Sequence, residues 1–295
     1  MGRNKIVDIL KEKAAVITGS GRGLGRAFAL AFADEGAKVV VNDLSSEGEK
    51  ENPADEVVAE IRAMGGEAVA CYDSVTTAEG GENIINTCVK EFGKIDILVN
   101  NAGILRDRMI FNMTPEEWDA VIKVHLYGTF NCTKPASVLM RQQRSGRIIN
   151  ITSPTALGGM PGQANYGAAK AGILGFTRVV SRDLAKYGVT VNSFSPTAAT
   201  RMTDTIGHGA GQPMPSPEDN AAIVVYLASD TASNISGQTF SYSGGGISIY
   251  TPSPTVMRTI YKESRWTVDE LLDVIPKTLG DISLSPPRPR PREER

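Results

Sequence analysis

The chain has 295 residues, 41% hydrophobic and 22% charged, which suits one large α/β domain with a sizeable core. A net charge of −2 excludes a general attraction for nucleic acid or anionic membrane, and no apolar run reaches the ~18 residues of a membrane span. Cys71, Cys88 and Cys132 are widely spaced and there are only two histidines, so the pattern suits reduced thiols in a cytoplasmic protein, with no disulfide framework and no metal site. The opening MGRNKIVDILKEK has no apolar signal-peptide core, Ile6 argues against myristoylation, and the final Glu-Glu-Arg is no peroxisomal address.

Taken in order, AAVITG (14–19) is the first expected strand, and it runs into TGSGRGLGRA (18–27). Gly19, Gly21, Gly23 and Gly25 let the backbone turn tightly and approach a pyrophosphate. Arg22 and Leu24 lie in the same turn, and the helix that follows, 25–36, presents free N–H groups to that charge. The second strand, AKVVVND (37–43), ends at Asp43. A carboxylate there accepts hydrogen bonds from ribose hydroxyls and repels a 2′-phosphate, so the expected cofactor is NAD, although Arg22 could pair with such a phosphate. Residues 44–54 form a polar insertion before a helix over 53–65.

EAVACY (67–72) is the third strand, and Ser74 and Val75 fall where an adenine ring would lie. A helix over 80–93 leads to IDILVNNAG (95–103), where Asn100, Asn101, Ala102 and Gly103 leave the fourth strand. Those amides either satisfy a turn or contact a ribose. Thr114-Pro115-Glu116-Glu117 is a capping box that opens a helix over 114–128, with His125 in an apolar stretch. GRIINIT (146–152) precedes Ser153, a helix spans 166–188, and VTVNSFS (189–195) is the sixth strand. Gly36, Gly65, Gly93 and Gly188 stand where helix C-caps belong. Residues 203–217, rich in glycine and proline, read as a short mobile lid. The alternation implies an α/β fold, a single Rossmann-type doubly wound parallel sheet with helices on both faces. It spans 1–250, followed by an extension over 251–285 with a helix near 266–275 and a disordered Pro/Arg tail over 286–295.

Tyr166 and Lys170 are four apart at a helix start, so they share one face, and the ammonium is expected to lower the phenol from its usual ~10. The phenol then moves the proton of an alcohol or carbonyl oxygen while hydride moves at the same carbon. Ser153 is placed to hold that oxygen.

TGSGRGLG, NNAG, Ser153, Tyr166 and Lys170, in this order and spacing over about 10–246, resemble the short-chain dehydrogenases/reductases. The resemblance implies hydride transfer with a nicotinamide cofactor and a homodimer or homotetramer. It makes Tyr166 the acid/base, Lys170 the group that tunes it and holds the nicotinamide ribose, and Ser153 the orienter of the substrate oxygen. NNAGILRDR, VHLYG and GQANYGAAK are similar to the (3R)-hydroxyacyl-CoA dehydrogenase part of peroxisomal multifunctional enzymes and to bacterial hydroxysteroid dehydrogenase-like relatives. The implied substrate is an acyl-CoA or a steroid. Members usually carry asparagine at the place of His125, where it steadies a helix bend and holds a water linking the lysine to solvent. His125 either keeps that role in catalysis or simply packs. Pro196 is followed by Thr197 and not glycine, so carboxamide contacts fall to Pro196, Ala199 and Thr200 or Thr203. Arg106, Arg108 and Arg201 are either CoA-phosphate partners or ordinary ion-paired arginines. The expected activity is NAD-dependent interconversion of (3R)-3-hydroxyacyl-CoA and 3-ketoacyl-CoA in lipid metabolism. The rivals are a free-steroid dehydrogenase and a non-catalytic nicotinamide sensor.

Overall fold

Runs of Val and Ile that are apolar on both faces form buried strands, and amphipathic stretches between them form the crossover helices. In the computed structural model, which describes residues 8–44, 52–199, 214–250, 259–263, 265 and 267–278, they follow in the expected alternation. The first half runs β1 (Ala14–Thr18), α1 (Gly23–Asp34), β2 (Lys38–Asn42), α2 (Pro53–Ala63), β3 (Ala68–Cys71), α3 (Ala78–Phe92), β4 (Ile97–Asn100) and α4 (Pro115–Ile122). The second half runs α5 (Gly128–Gln143), β5 (Gly146–Ile151), α6 (Thr155–Gly158), α7 (Ala164–Leu184), β6 (Val189–Ser195), α8 (Ala221–Ala228), β7 (Thr239–Ser243) and β8 (Gly246–Tyr250). Among the described residues these strands make one sheet in the order β3-β2-β1-β4-β5-β6-β7-β8.

The sequence pattern predicts six strands, and the sheet adds two more at its far edge. β7 is parallel to β6, whereas β8 turns back antiparallel on β7, so the sheet is mostly and not wholly parallel. The helix expected over 114–128 does not stop at Gly128. It loosens into a π turn over Lys123–Tyr127 and continues as α5 to Gln143. Gly36, Gly65, Gly93 and Gly188 all have positive φ at helix ends, as their positions suggested. The Thr114–Glu117 capping box forms in both directions.

Two apolar layers sandwich the sheet. Ala15 and Ile17 of β1 face α1, α2 and α8, where Phe28, Phe32, Ile61 and Val224 are fully buried. Ala14 and Val16 face α3 and α5, with Ile84, Ile85, Cys132 and Met140. Each large side chain so buried contributes ~1.5–3 kcal/mol of transfer free energy. The three cysteines are free and buried.

Just below the carboxyl rim the strands switch to polar residues. Thr18 pairs with Asn42, and Asn100 pairs with Asn150, which pairs with Ser193. Asn100 Nδ2 donates to Thr133 Oγ1 (3.0 Å) and Asn150 Oδ1 (2.8 Å), and Asn150 Nδ2 donates to Thr177 Oγ1 (2.9 Å). Strands β4 and β5 are thereby tied to α5 and α7, the elements that carry the candidate site. Asn100 Nδ2 is taken up by this network, and Asn100 does not line the cleft.

The chain divides into two units, Met1–Pro252 and Ser253–Arg295. In the second, α9 (Val268–Thr278) starts two residues later than expected and is capped by Thr267, whose Oγ1 accepts from Glu270 N at 3.3 Å. The polar insertion beyond Leu44, most of the 203–217 segment and the 286–295 tail lie outside the described residues.

Candidate active site

A cleft of about 660 Å³ opens at the carboxyl ends of the strands, where ligands of open α/β sheets bind. One wall is the turn from β1 to α1. Gly19 has φ +62°, and a Cβ on Gly25 would sit 2.1 Å from Gly19 O, so this turn excludes side chains at both places. Helix α1 begins with no side-chain cap and no acidic residue in its first turn, which leaves its N–H groups directed at the cleft. Arg22, Gly23 and Leu24 line the wall beside it. Gly21 does not line the cleft. Its N–H donates to Asp43 Oδ2 at 2.8 Å, and Leu44 N–H donates to Asp43 Oδ1 at 2.8 Å. Asp43 is thus pinned at the end of β2, facing the cleft beside Ser74 and Val75.

Asn101, Ala102 and Gly103 form the middle of the floor. Asn101 Nδ2 donates to Thr18 O (2.9 Å) and Gly19 O (2.8 Å), so its amide braces the glycine turn. Pro196 lines the far side. Ala199 does not; it is exposed, and its N–H donates to Pro215 O at 2.8 Å. Thr200, Arg201 and Thr203 lie outside the described residues. Glycine loop, uncapped helix and pinned carboxylate together fit a dinucleotide.

The structure brings Ser153, Tyr166, Lys170 and His125 together on the opposite wall. Ser153 and Tyr166 both face the cleft, and Ser153 favours the ionised form of the phenol. Lys170 Nζ stands 5.5 Å from the Tyr166 ring centroid and donates to Ile151 O at 2.6 Å. The depth of the pair reverses the shift expected for Tyr166 from its spacing to Lys170. The ammonium does not bring the phenol down; burial dominates and pushes Tyr166 up to about 12, with the Asp107 charge adding to the rise and Ser153 opposing it. Burial also draws Lys170 down to about 7. Sequence spacing gives the pair but not its depth, and desolvation of a charged form is the larger effect at this depth.

His125 sits in the π turn, 2% exposed, its ring edge-on to Tyr166 with centroids 5.1 Å apart. Its Nε2 is 2.8 Å from Ile104 O and 3.1 Å from Ile104 N, and the tautomer decides which bond forms. Nδ1 has no partner among the described residues. Burial first and Lys170 second hold the imidazole well below its usual range, so it is neutral. A Cβ on Gly103 would meet the ring at 2.4 Å, which explains why glycine stands there. Arg108 is ion-paired to Glu117 at 2.9 Å, the plainer of its two readings, and Arg106 donates to Leu105 O. Ile104, Gln163 and Thr155 also line this wall and were not singled out from the sequence; no residue-type pattern marks them. Among the described residues no group of side chains could hold a metal ion, and no helix is long and apolar enough to cross a membrane.

Comparison with known proteins agrees with this geometry. The family model for short chain dehydrogenases matches residues 13–210. A 3-oxoacyl-[acyl-carrier-protein] reductase from Synechocystis is 48% identical over 80% of this chain and 97% of its own length. A peroxisomal hydratase-dehydrogenase-epimerase from Neurospora crassa is 44% identical over 80% of this chain, which spans only 26% of that larger protein. The crystal structure of a short chain dehydrogenase from Mycobacterium avium superposes with a TM-score of 0.85 at 42% identity, covering 95% of this chain and 98% of that one.

Proposed function

Because the chain belongs to the short-chain dehydrogenase family, we propose that it is an NAD-dependent oxidoreductase that interconverts a (3R)-3-hydroxyacyl-CoA and its 3-ketoacyl form. The observation that carries the reading is the convergence of Ser153, Tyr166 and Lys170 on one side of the cleft, with Lys170 Nζ 5.5 Å from the Tyr166 ring centroid. Asp43 supports NAD, since its pinned carboxylate would oppose a 2′-phosphate. Ile104, Leu105, Val124 and Met160 give the cleft an apolar wall suited to an acyl chain.

The nicotinamide ring, when bound, supplies or accepts hydride at the reacting carbon. Ser153 Oγ accepts the Thr155 N–H at 3.2 Å, which leaves its own proton to hold the substrate oxygen. Tyr166, protonated at neutral pH, gives its proton to that oxygen as a ketone is reduced, and the phenolate takes it back in the oxidation. Lys170, brought down to about 7, exchanges a proton at neutral pH and restores Tyr166. His125 anchors the water that links Lys170 to solvent through its unpartnered Nδ1. Exposed Tyr127, Phe130 and Val138 with Val179 of α7 supply an apolar face for a homodimer or homotetramer.

The identity to the Synechocystis reductase favours a second reading, reduction of the same 3-oxoacyl group on a carrier protein. A panel of 3-hydroxyacyl-CoA thioesters and steroid alcohols, each with NAD and NADP, tests the first. We expect NADH formation with the thioesters. Steroid oxidation under conditions where no thioester reacts overturns it.

A further inference from the structure

Gln163 precedes Tyr166 by three residues and is 3% exposed, yet both ends of its amide are used. Nε2 donates to Asp107 Oδ2 at 2.8 Å, and Oε1 accepts from Thr155 Oγ1 at 2.9 Å. Thr155 in turn gives its backbone N–H to Ser153 Oγ at 3.2 Å. A continuous chain therefore runs from the loop after β4 to the serine that faces the substrate.

The chain has a fixed polarity. A carboxylate only accepts, so Asp107 turns the NH₂ of Gln163 toward itself. The Gln163 carbonyl then faces Thr155, and the Thr155 hydroxyl must donate. With Thr155 held in this way, its N–H stays aimed at Ser153 Oγ, and the serine proton is left for the substrate. The same loop is fastened to the approach of α7 at two further points. Arg108 N–H donates to Gly162 O at 2.8 Å, and Asn165 Nδ2 donates to Arg106 O at 3.0 Å. A buried glutamine at the edge of an apolar cleft is not needed for packing, where a leucine would serve.

We propose that Asp107, Gln163 and Thr155 are positioning residues that set the hydroxyl direction of Ser153 for the alcohol–ketone chemistry proposed above, on which this inference rests. They act through Ser153 and touch no reacting atom themselves.

The test is a set of cycles in two backgrounds. Gln163→Leu, Thr155→Val and their double variant are made in the unaltered chain and again with Ser153→Ala. In the unaltered chain each single change should lower kcat about tenfold to a hundredfold, the scale of a misplaced catalytic group, with KM and NADH affinity within about twofold. The double variant should be no worse than the worse single. In the Ser153→Ala background the same changes should move kcat by less than about twofold. Falls of equal size in both backgrounds, additive falls, or an unchanged kcat overturn the proposal. Asp107 is exposed, so Asp107→Ala keeps the test open if a buried variant fails to fold. It should lower kcat as Gln163→Leu does, while Asp107→Asn, which keeps an acceptor in place, should retain at least about half. The cycles are run on whichever alcohol the unaltered chain oxidises best. A wrong substrate assignment then shows in the panel above, and a wrong relay shows in the cycles.

Discussion

Lys170→Met should abolish efficient turnover and yet raise stability at mildly acid pH. Lys170 is 3% exposed and its ammonium is brought from 10.5 down to about 7 by burial alone. Its folded value lies below its unfolded value, so the unfolded chain binds the proton more tightly. The lysine therefore destabilises the fold in full below the folded value, and the penalty fades as pH rises toward the unfolded value. At ~1.4 kcal/mol per unit, the penalty is about 5 kcal/mol near pH 6 and about 2 kcal/mol near pH 9. Methionine fills a similar volume but leaves Ile151 O without its 2.6 Å donor. An unpaired buried acceptor costs ~1–3 kcal/mol. The net gain is then about 2–4 kcal/mol near pH 6 and about zero near pH 9, or on the order of 5–15 °C at the lower pH. Thermal melts of both proteins across that range read it directly. A variant that melts below the parent near pH 6, or a difference that does not change with pH, refutes the reasoning.

Gly25→Ala places a methyl 2.1 Å from Gly19 O and 2.6 Å from Asn101 Nδ2, so NADH affinity by calorimetry should fall more than about tenfold while the apo fold persists. Asp43→Ala removes the carboxylate that opposes a 2′-phosphate, and the NAD-over-NADP ratio in kcat/KM should drop at least about tenfold. His125→Leu should displace the pH profile of turnover, because the proposed relay loses both the imidazole Nδ1 and any amide that could replace it; an unchanged profile reduces His125 to packing.

Six strands were legible because they are short runs rich in Val, Ile and Ala, most of them buried on both faces, with a glycine cap closing the helix before or after each. β8 was not, because GISIY is exposed along its whole length and carries no burial signal. Helix α8, AAIVVYLA, is apolar almost all round and so lacks the stripe that marks an amphipathic helix. Gly128 looked like a helix end. It is small because a Cβ there would meet Val75 Cγ2 at 2.8 Å, and the helix runs through it. At the site, Ser153, Tyr166 and Lys170 were readable from order and spacing. The upward push on Tyr166 was not, since spacing says nothing of how deep a phenol lies. Asp107, Gln163 and Thr155 were invisible for another reason: three ordinary polar residues become a chain only when the loop after β4 and the start of α7 are side by side.

The central claim is that Tyr166 moves the proton in a reaction whose hydride belongs to NAD. Tyr166→Phe removes one oxygen and keeps the ring against His125. Turnover of the best alcohol and NADH binding, measured on the same preparation, test it together. The account predicts a loss of at least about a thousandfold in kcat, within the range general acid–base catalysis supplies, with NADH affinity changed by less than about threefold. Turnover that survives the substitution contradicts it.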